Sequence, residues 1–157
     1  KSTTLVKSNT WIPGLHFVTY SNSHCRNTHQ CAFCPLIRSA HCAGARIWML
    51  GRGNTTNLGY IDGCRQKLVD VYKFLKDRAK HGLKDNELMC FVDGHDTLVL
   101  RSLHDFESKL REFMSRTNFS LVFNPELLNP GLNSGVYCGD VAHVFRFIDE
   151  IMHDTFI

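Results

Sequence analysis

No apolar run in this 157-residue chain comes near the roughly 20 residues needed to cross a bilayer. Charge of one sign is also scarce. The formal net charge is +3 and the basic residues are scattered, so the composition gives no specific nucleic-acid signal. Internal repeats, low-complexity tracts and an interdomain linker are missing, which points to a single domain over residues 1–157. No GxGxxG follows the first apolar segment and no GxxxxGK[ST] occurs, which argues against a standard dinucleotide fold and a phosphate-loop nucleotidase. Ser134 is not in a GxSxG elbow, and no cysteine carries a local signature of a nucleophilic pair. No signal peptide is visible, although the chain begins abruptly at Lys1.

What is present is the composition of a globular domain, 43% hydrophobic and 21% charged, at a length that supports a real core. After a polar leader, Leu15 to Tyr20 reads as a strand, and Pro35 opens a short helix that Gly44 stops. Ala45 to Leu50 reads as a second strand, followed by a loop from Gly51 to Asn57. Leu68, Val71, Tyr72, Leu75 and Ala79 recur at helical spacing and predict a long helix from about Asp62 to His81, ended by Gly82. Cys90 to Val92 reads as a buried strand, and Thr97 to Leu100 as a further extended run. Ser102 is expected to cap a helix carrying Leu103, Phe106, Leu110, Phe113 and Met114. Strands at Phe119–Phe123 and Val136–Gly139 precede a last helix starting at Asp140. Strands alternating with helices predict an α/β domain, a mainly parallel sheet with helices on both faces. Few residues follow the last helix, so a partner element is expected beyond Ile157 and the fold is read as C-terminally incomplete.

Seven cysteines are many for this length. Cys25, Cys31, Cys34 and Cys42 crowd in and around a cysteine-rich loop (residues 21–35), whereas Cys90 and Cys138 fall in apparent strands and read as buried. Disulfides stapling the loop are the first expectation. Structural zinc held with His24, His29 and His41 is the alternative, although the spacing lacks paired CxxC motifs. Asn54-Thr55-Thr56 and Asn118-Phe119-Ser120 are glycosylation acceptor patterns and point to the secretory pathway, the endoplasmic reticulum or Golgi lumen, or secretion.

The chemistry-bearing segment is Met89-Cys90-Phe91-Val92-Asp93-Gly94-His95-Asp96. Asp93 falls at the carboxyl end of a strand, where open α/β sheets place their ligands, and Gly94 permits a turn that returns Asp96 beside it. Facing carboxylates repel unless a cation or proton lies between them, and Mn²⁺ or Mg²⁺ bridging to phosphates would suit the pair. An ordinary Asp-Gly turn without metal is the plain alternative. Lys67, with Arg65 and Gln66, falls in the first turn or two of the long helix, where its charge and the free N–H groups would suit a diphosphate. A solvated surface lysine is the competing reading. Asn133, Ser134 and Gly135 offer hydrogen bonds to sugar hydroxyls and a close backbone approach, and His95 a ring that could stack on a base. Asp140 looks like a helix cap and Glu126 like a loop acid.

Taken in order and spacing, Cys64-Arg65-Gln66-Lys67, Phe91 to Asp96, Ser120 to Glu126 and Leu132 to Gly135 resemble the glycosyltransferase domain of the procollagen lysyl hydroxylase/glycosyltransferase family. The resemblance covers most of the chain from Leu15 to Ile151. It implies a GT-A (Rossmann-like) fold and a metal-dependent transfer of hexose from UDP-glucose or UDP-galactose to a hydroxyl acceptor on a glycan, protein or other molecule. Asp93 and Asp96 match the family's metal motif, Lys67 a lysine near the donor phosphates, and Asn133, Ser134 and Gly135 the sugar side. His95 replaces an aromatic residue beside the uridine. The loop from Gly51 to Asn57 lacks the family's tryptophan, and the family's later portion would fall beyond Ile157. A non-catalytic binding or assembly module on the same fold, with a zinc-binding or disulfide-stapled loop, is therefore the alternative.

Overall fold

A computed structural model describes residues 4–6, 12–21, 34–51, 60–94, 97–100, 102–125 and 132–156. The elements are β1 (Thr4–Val6), β2 (Leu15–Tyr20), α1 (Cys34–Cys42), β3 (Arg46–Leu50), α2 (Tyr60–Lys76), β4 (Leu88–Val92), α3 (Leu103–Thr117), β5 (Leu121–Pro125), β6 (Leu132–Asp140) and α4 (Val141–Phe156). They build a six-stranded sheet in the order β1-β3-β2-β4-β6-β5.

The α/β class is as expected, but the sheet is mixed. β3, β2 and β4 are parallel to one another, while β1 on β3, β6 on β4 and β5 on β6 are antiparallel. The reason lies in the connections. A parallel pairing needs a crossover, and no helix intervenes between β5 and β6 among the described residues, so they return as an antiparallel pair. β6 then docks against β4 and carries the chain directly into α4.

Alternation along the strands divides the interior in two. Val18, Tyr20, Trp48, Leu50, Met89, Phe91 and Tyr137 pack under α2 (Val71, Phe74, Leu75) and α4 (Val141, Val144, Ile148). Leu15, Phe17, Ile47, Leu88, Cys90, Val92 and Cys138 pack under α1 (Leu36, Ala40) and the start of α3 at Leu103. β2 and β4 are buried along their whole length, as strands covered on both faces must be. Each fully buried large side chain such as Phe91 contributes about 1.5–3 kcal/mol of transfer free energy. Among the described residues no helix is long and apolar enough to cross a membrane.

Several local expectations need correction. The polar leader contains β1, whose Leu5 lies opposite Trp48. Thr97 to Leu100 is not a strand: Leu98 and Leu100 are 51% and 81% exposed, and the Val99 N–H donates to Ser39 Oγ at 3.0 Å. α2 begins at Tyr60 and its regular part ends at Lys76. The chain then tightens into turns, with Lys80 N–H on the Asp77 carbonyl and His81 N–H on the Arg78 carbonyl, until Gly82 at φ +70° redirects it. Ser102 stands at the N-cap of α3, where its carbonyl accepts from the Phe106 N–H, but its side chain makes no capping bond. Asp140 closes β6 rather than capping α4. The first N–H groups of α4 donate instead to the carbonyls of Glu87 and Asp85.

Of the cysteine-rich loop, Cys25 and Cys31 lie outside the described residues, as do His24 and His29, while Cys42 is exposed and free. The acceptor pattern at Asn54 and the acid Glu126 also lie outside them. Asn118 of the second pattern is the C-cap of α3, in the left-handed conformation at φ 55°.

Candidate functional site

Because β3, β2 and β4 are parallel, their carboxyl ends open on one edge of the sheet, and antiparallel β6 brings its start to the same edge. At the ends of β2 and β3 the packing is tight. The Ser21 N–H donates to the Leu50 carbonyl at 3.0 Å, and Gly51 leaves β3 at φ +77°. A Cβ on Gly51 would lie 2.5 Å from the Tyr20 ring and 2.7 Å from the Ser21 carbonyl oxygen, so only glycine lets the strands end this close together.

Asp93 follows β4 directly, and its N–H donates to the Gly135 carbonyl at 2.8 Å. Gly135 belongs to an irregular stretch of β6. Phe123 pairs with Tyr137, yet Asn124 already pairs with Asn133, so residues 134–136 are extra against β5. Bulges of this kind re-aim a strand and gather next to functional sites. A glycine inside a strand pattern is the signal that announces one.

From the face of α2, Lys67 reaches over to this point. Its Nζ lies 3.5 Å from Asp93 Oδ1, with the lysine side chain 14% exposed and the aspartate 45%. The ammonium also sits 5.2 Å from the centre of the Phe91 ring. Phe91 is stacked on Tyr137, with ring centres 5.0 Å apart and planes 8° from parallel. Burial pushes the Tyr137 phenol far above its ordinary range, and the negative charge of Asp93 adds to the shift. Lys67 is therefore held by a carboxylate on one side and an aromatic face on the other, in an arrangement that keeps a cation partly out of water.

Lys67 lies deeper in α2 than the sequence indicates, because the helix starts at Tyr60. The helix-end field fades within the first turn, so Lys67 acts through its own charge rather than with the helix start. Of the residues expected at the site, Lys67, Asp93 and Gly135 are brought together. Asn133 lies on β6 opposite Asn124, with Ser134 next to it in the irregular stretch. His95 and Asp96 lie outside the described residues. Phe91 and Tyr137 were legible only as core, and nothing in their spacing shows that they form the seat for an ammonium. Among the described residues, no group of three or more metal-ligating side chains occurs.

Chemically, the described residues of this edge offer a half-exposed carboxylate and a cation held beside it, with the buried backbone of Gly135 bonded to the carboxylate's own N–H. Compared with protein-family models and with curated proteins, the chain matches none.

Proposed function

We propose that this chain is a GT-A-like domain that binds a UDP-sugar donor together with Mn²⁺ or Mg²⁺ and serves hexose transfer to a hydroxyl acceptor. The observation that carries the reading is the convergence of Lys67, Asp93 and Gly135 at the carboxyl edge of the parallel strands. The parallel core with antiparallel β6 beside the acid is compatible with that fold. Asp93 also fits the metal: a half-exposed carboxylate is what a hard divalent ion needs when phosphates supply most of its other ligands. When bound, such an ion neutralises charge on a departing diphosphate.

The chain's own residues would do the rest. Lys67 would release Asp93 to the ion and turn its ammonium to the diphosphate, with the Phe91 ring keeping it in place. The Gly135 backbone would pass close to the sugar. Asp96, Asn133 and Ser134 retain the roles that the family resemblance gives them.

The same 3.5 Å contact favours a second reading, in which Lys67 and Asp93 neutralise each other and the domain is a non-catalytic module. Calorimetric titration of UDP with and without Mn²⁺, on the wild type and on Asp93→Ala/Asp96→Ala, separates the two. Metal-dependent binding lost in the double variant supports the donor site. Folded wild-type protein that binds no UDP under either condition overturns it and leaves the module.

A further inference from the structure

Beneath the proposed site, β4 and β6 hold two cysteines face to face. Cys90 and Cys138 are register partners in the antiparallel pairing and share the interior under α1 and α3. Both are free thiols in this structure. Their position in the ladder can be read from its hydrogen bonds. Asp93 N–H on the Gly135 carbonyl makes that a hydrogen-bonded pair, so Phe91/Tyr137 and Met89/Gly139 are hydrogen-bonded as well. Cys90/Cys138 then falls at a non-hydrogen-bonded position, where opposed side chains approach most closely, with Cα atoms about 4.5 Å apart. A disulfide spans Cα separations of about 4.4–6.8 Å, so this pair meets the requirement at its near end. The thiols are also within hydrogen-bonding reach of each other.

We propose that Cys90 and Cys138 close as an inter-strand disulfide in an oxidising milieu, stapling β4 to β6 under Asp93 and Gly135. Chemically, the thiolate of one cysteine attacks a sulfur of a small disulfide such as oxidised glutathione and expels one glutathione thiolate. The thiolate of the second cysteine attacks the protein sulfur of that mixed disulfide, expels the other glutathione thiolate and forms the S–S bond. Overall the pair loses two electrons and two protons, and the glutathione disulfide is reduced to two thiols. Cys90 is fully buried and Cys138 7% exposed, and burial pushes the Cys90 thiol well up. The exchange therefore takes place while the strands are pairing rather than in the finished fold.

The test is refolding of the full chain in a glutathione buffer rich in the oxidised form, followed by alkylation, proteolysis and mass spectrometry. The expected result is a linked Cys90–Cys138 peptide in protein with the native circular dichroism spectrum. In Cys138→Ala that peptide should disappear and Cys90 should return to the alkylated pool. The same mapping on protein expressed in an oxidising compartment reads the pair without a refolding step. Native-like oxidised protein with both cysteines alkylated, or with Cys90 linked elsewhere, would overturn the proposal. So would an oxidised chain that misses the native spectrum while the reduced chain reaches it.

Discussion

Two glycines allow backbone strain to be separated from steric clash in one experiment. Gly51 and Gly82 have nearly the same backbone angle, φ +77° and +70°, which an L side chain rarely adopts. Their surroundings differ. A Cβ at Gly82 meets nothing within 4 Å, whereas at Gly51 it would lie 2.5 Å from the Tyr20 ring and 2.7 Å from the Ser21 carbonyl oxygen. Gly82→Ala therefore incurs the left-handed penalty of about 1–2 kcal/mol, offset by about 0.4–1 kcal/mol from stiffening the unfolded chain. A net loss of about 1 kcal/mol follows. Gly51→Ala adds the overpacking cost of about 1–3 kcal/mol, because a carbonyl oxygen cannot swing aside and the Tyr20 ring is buried. Its total is about 2–4 kcal/mol. For a domain of this length each kcal/mol moves Tm by about 2–4 °C, so Gly82→Ala should lower Tm by a few degrees and Gly51→Ala by roughly twice that or more. Scanning calorimetry on both variants and the wild type gives the comparison. Equal shifts would refute the close approach of the β2 and β3 ends, and a larger shift for Gly82→Ala would reverse the reasoning outright.

Acid should weaken the fold through buried His16 and partly buried His81. His16 is buried, its Nε2 2.9 Å from Glu87 Oε2, and burial holds its pKa below 6.5; His81, between Trp48 and Phe74, is lowered by burial too. The unfolded chain then takes up protons first, so stability is complete above pH 6.5 and falls as the pH drops below it toward the folded-state values. Urea midpoints at pH 7.5 and 5.5 should differ in that direction, and His16→Gln should narrow the gap. For the proposed donor site, Lys67→Met should weaken UDP binding in the presence of Mn²⁺ by about tenfold or more, the worth of a charge-assisted hydrogen bond, while Lys67→Arg loses less. Equal affinity for Lys67→Met and wild type would remove Lys67 from the site. Phe91→Ala should cost about 3–5 kcal/mol by denaturant unfolding, since the ring is fully buried and stacked on Tyr137. A cost under about 1 kcal/mol would contradict that packing.

Much of the secondary structure was legible because local pattern dictates it. The segment Leu15–Tyr20, apolar but for His16 and Thr19, and the apolar run ending in Cys90 to Val92 read as strands and are strands, and the stripe through Leu68, Val71, Tyr72 and Leu75 reads as the buried face of a helix and is one. Thr97 to Leu100 misled for the complementary reason. Its residues favour extended backbone, but among the described residues it pairs with no strand, and extension without a partner is not a strand. Of the site, Asp93 was legible as the acid that follows a strand, whereas Gly135, read as preceding a strand at Val136, lies inside β6, which starts at Leu132.

By itself, then, the sequence determined the α/β class, the alternation of most elements and the acid at a strand's carboxyl end, since each follows from neighbours a few residues apart. Only the tertiary structure decided the strand order, the antiparallel insertion of β6 beside β4, the seat of Lys67 between Asp93 and Phe91, and the opposition of Cys90 and Cys138. These are contacts between residues far apart in the chain. They are set by which strands share a ladder and in what register, and that is fixed by packing both faces of one sheet rather than by any local pattern.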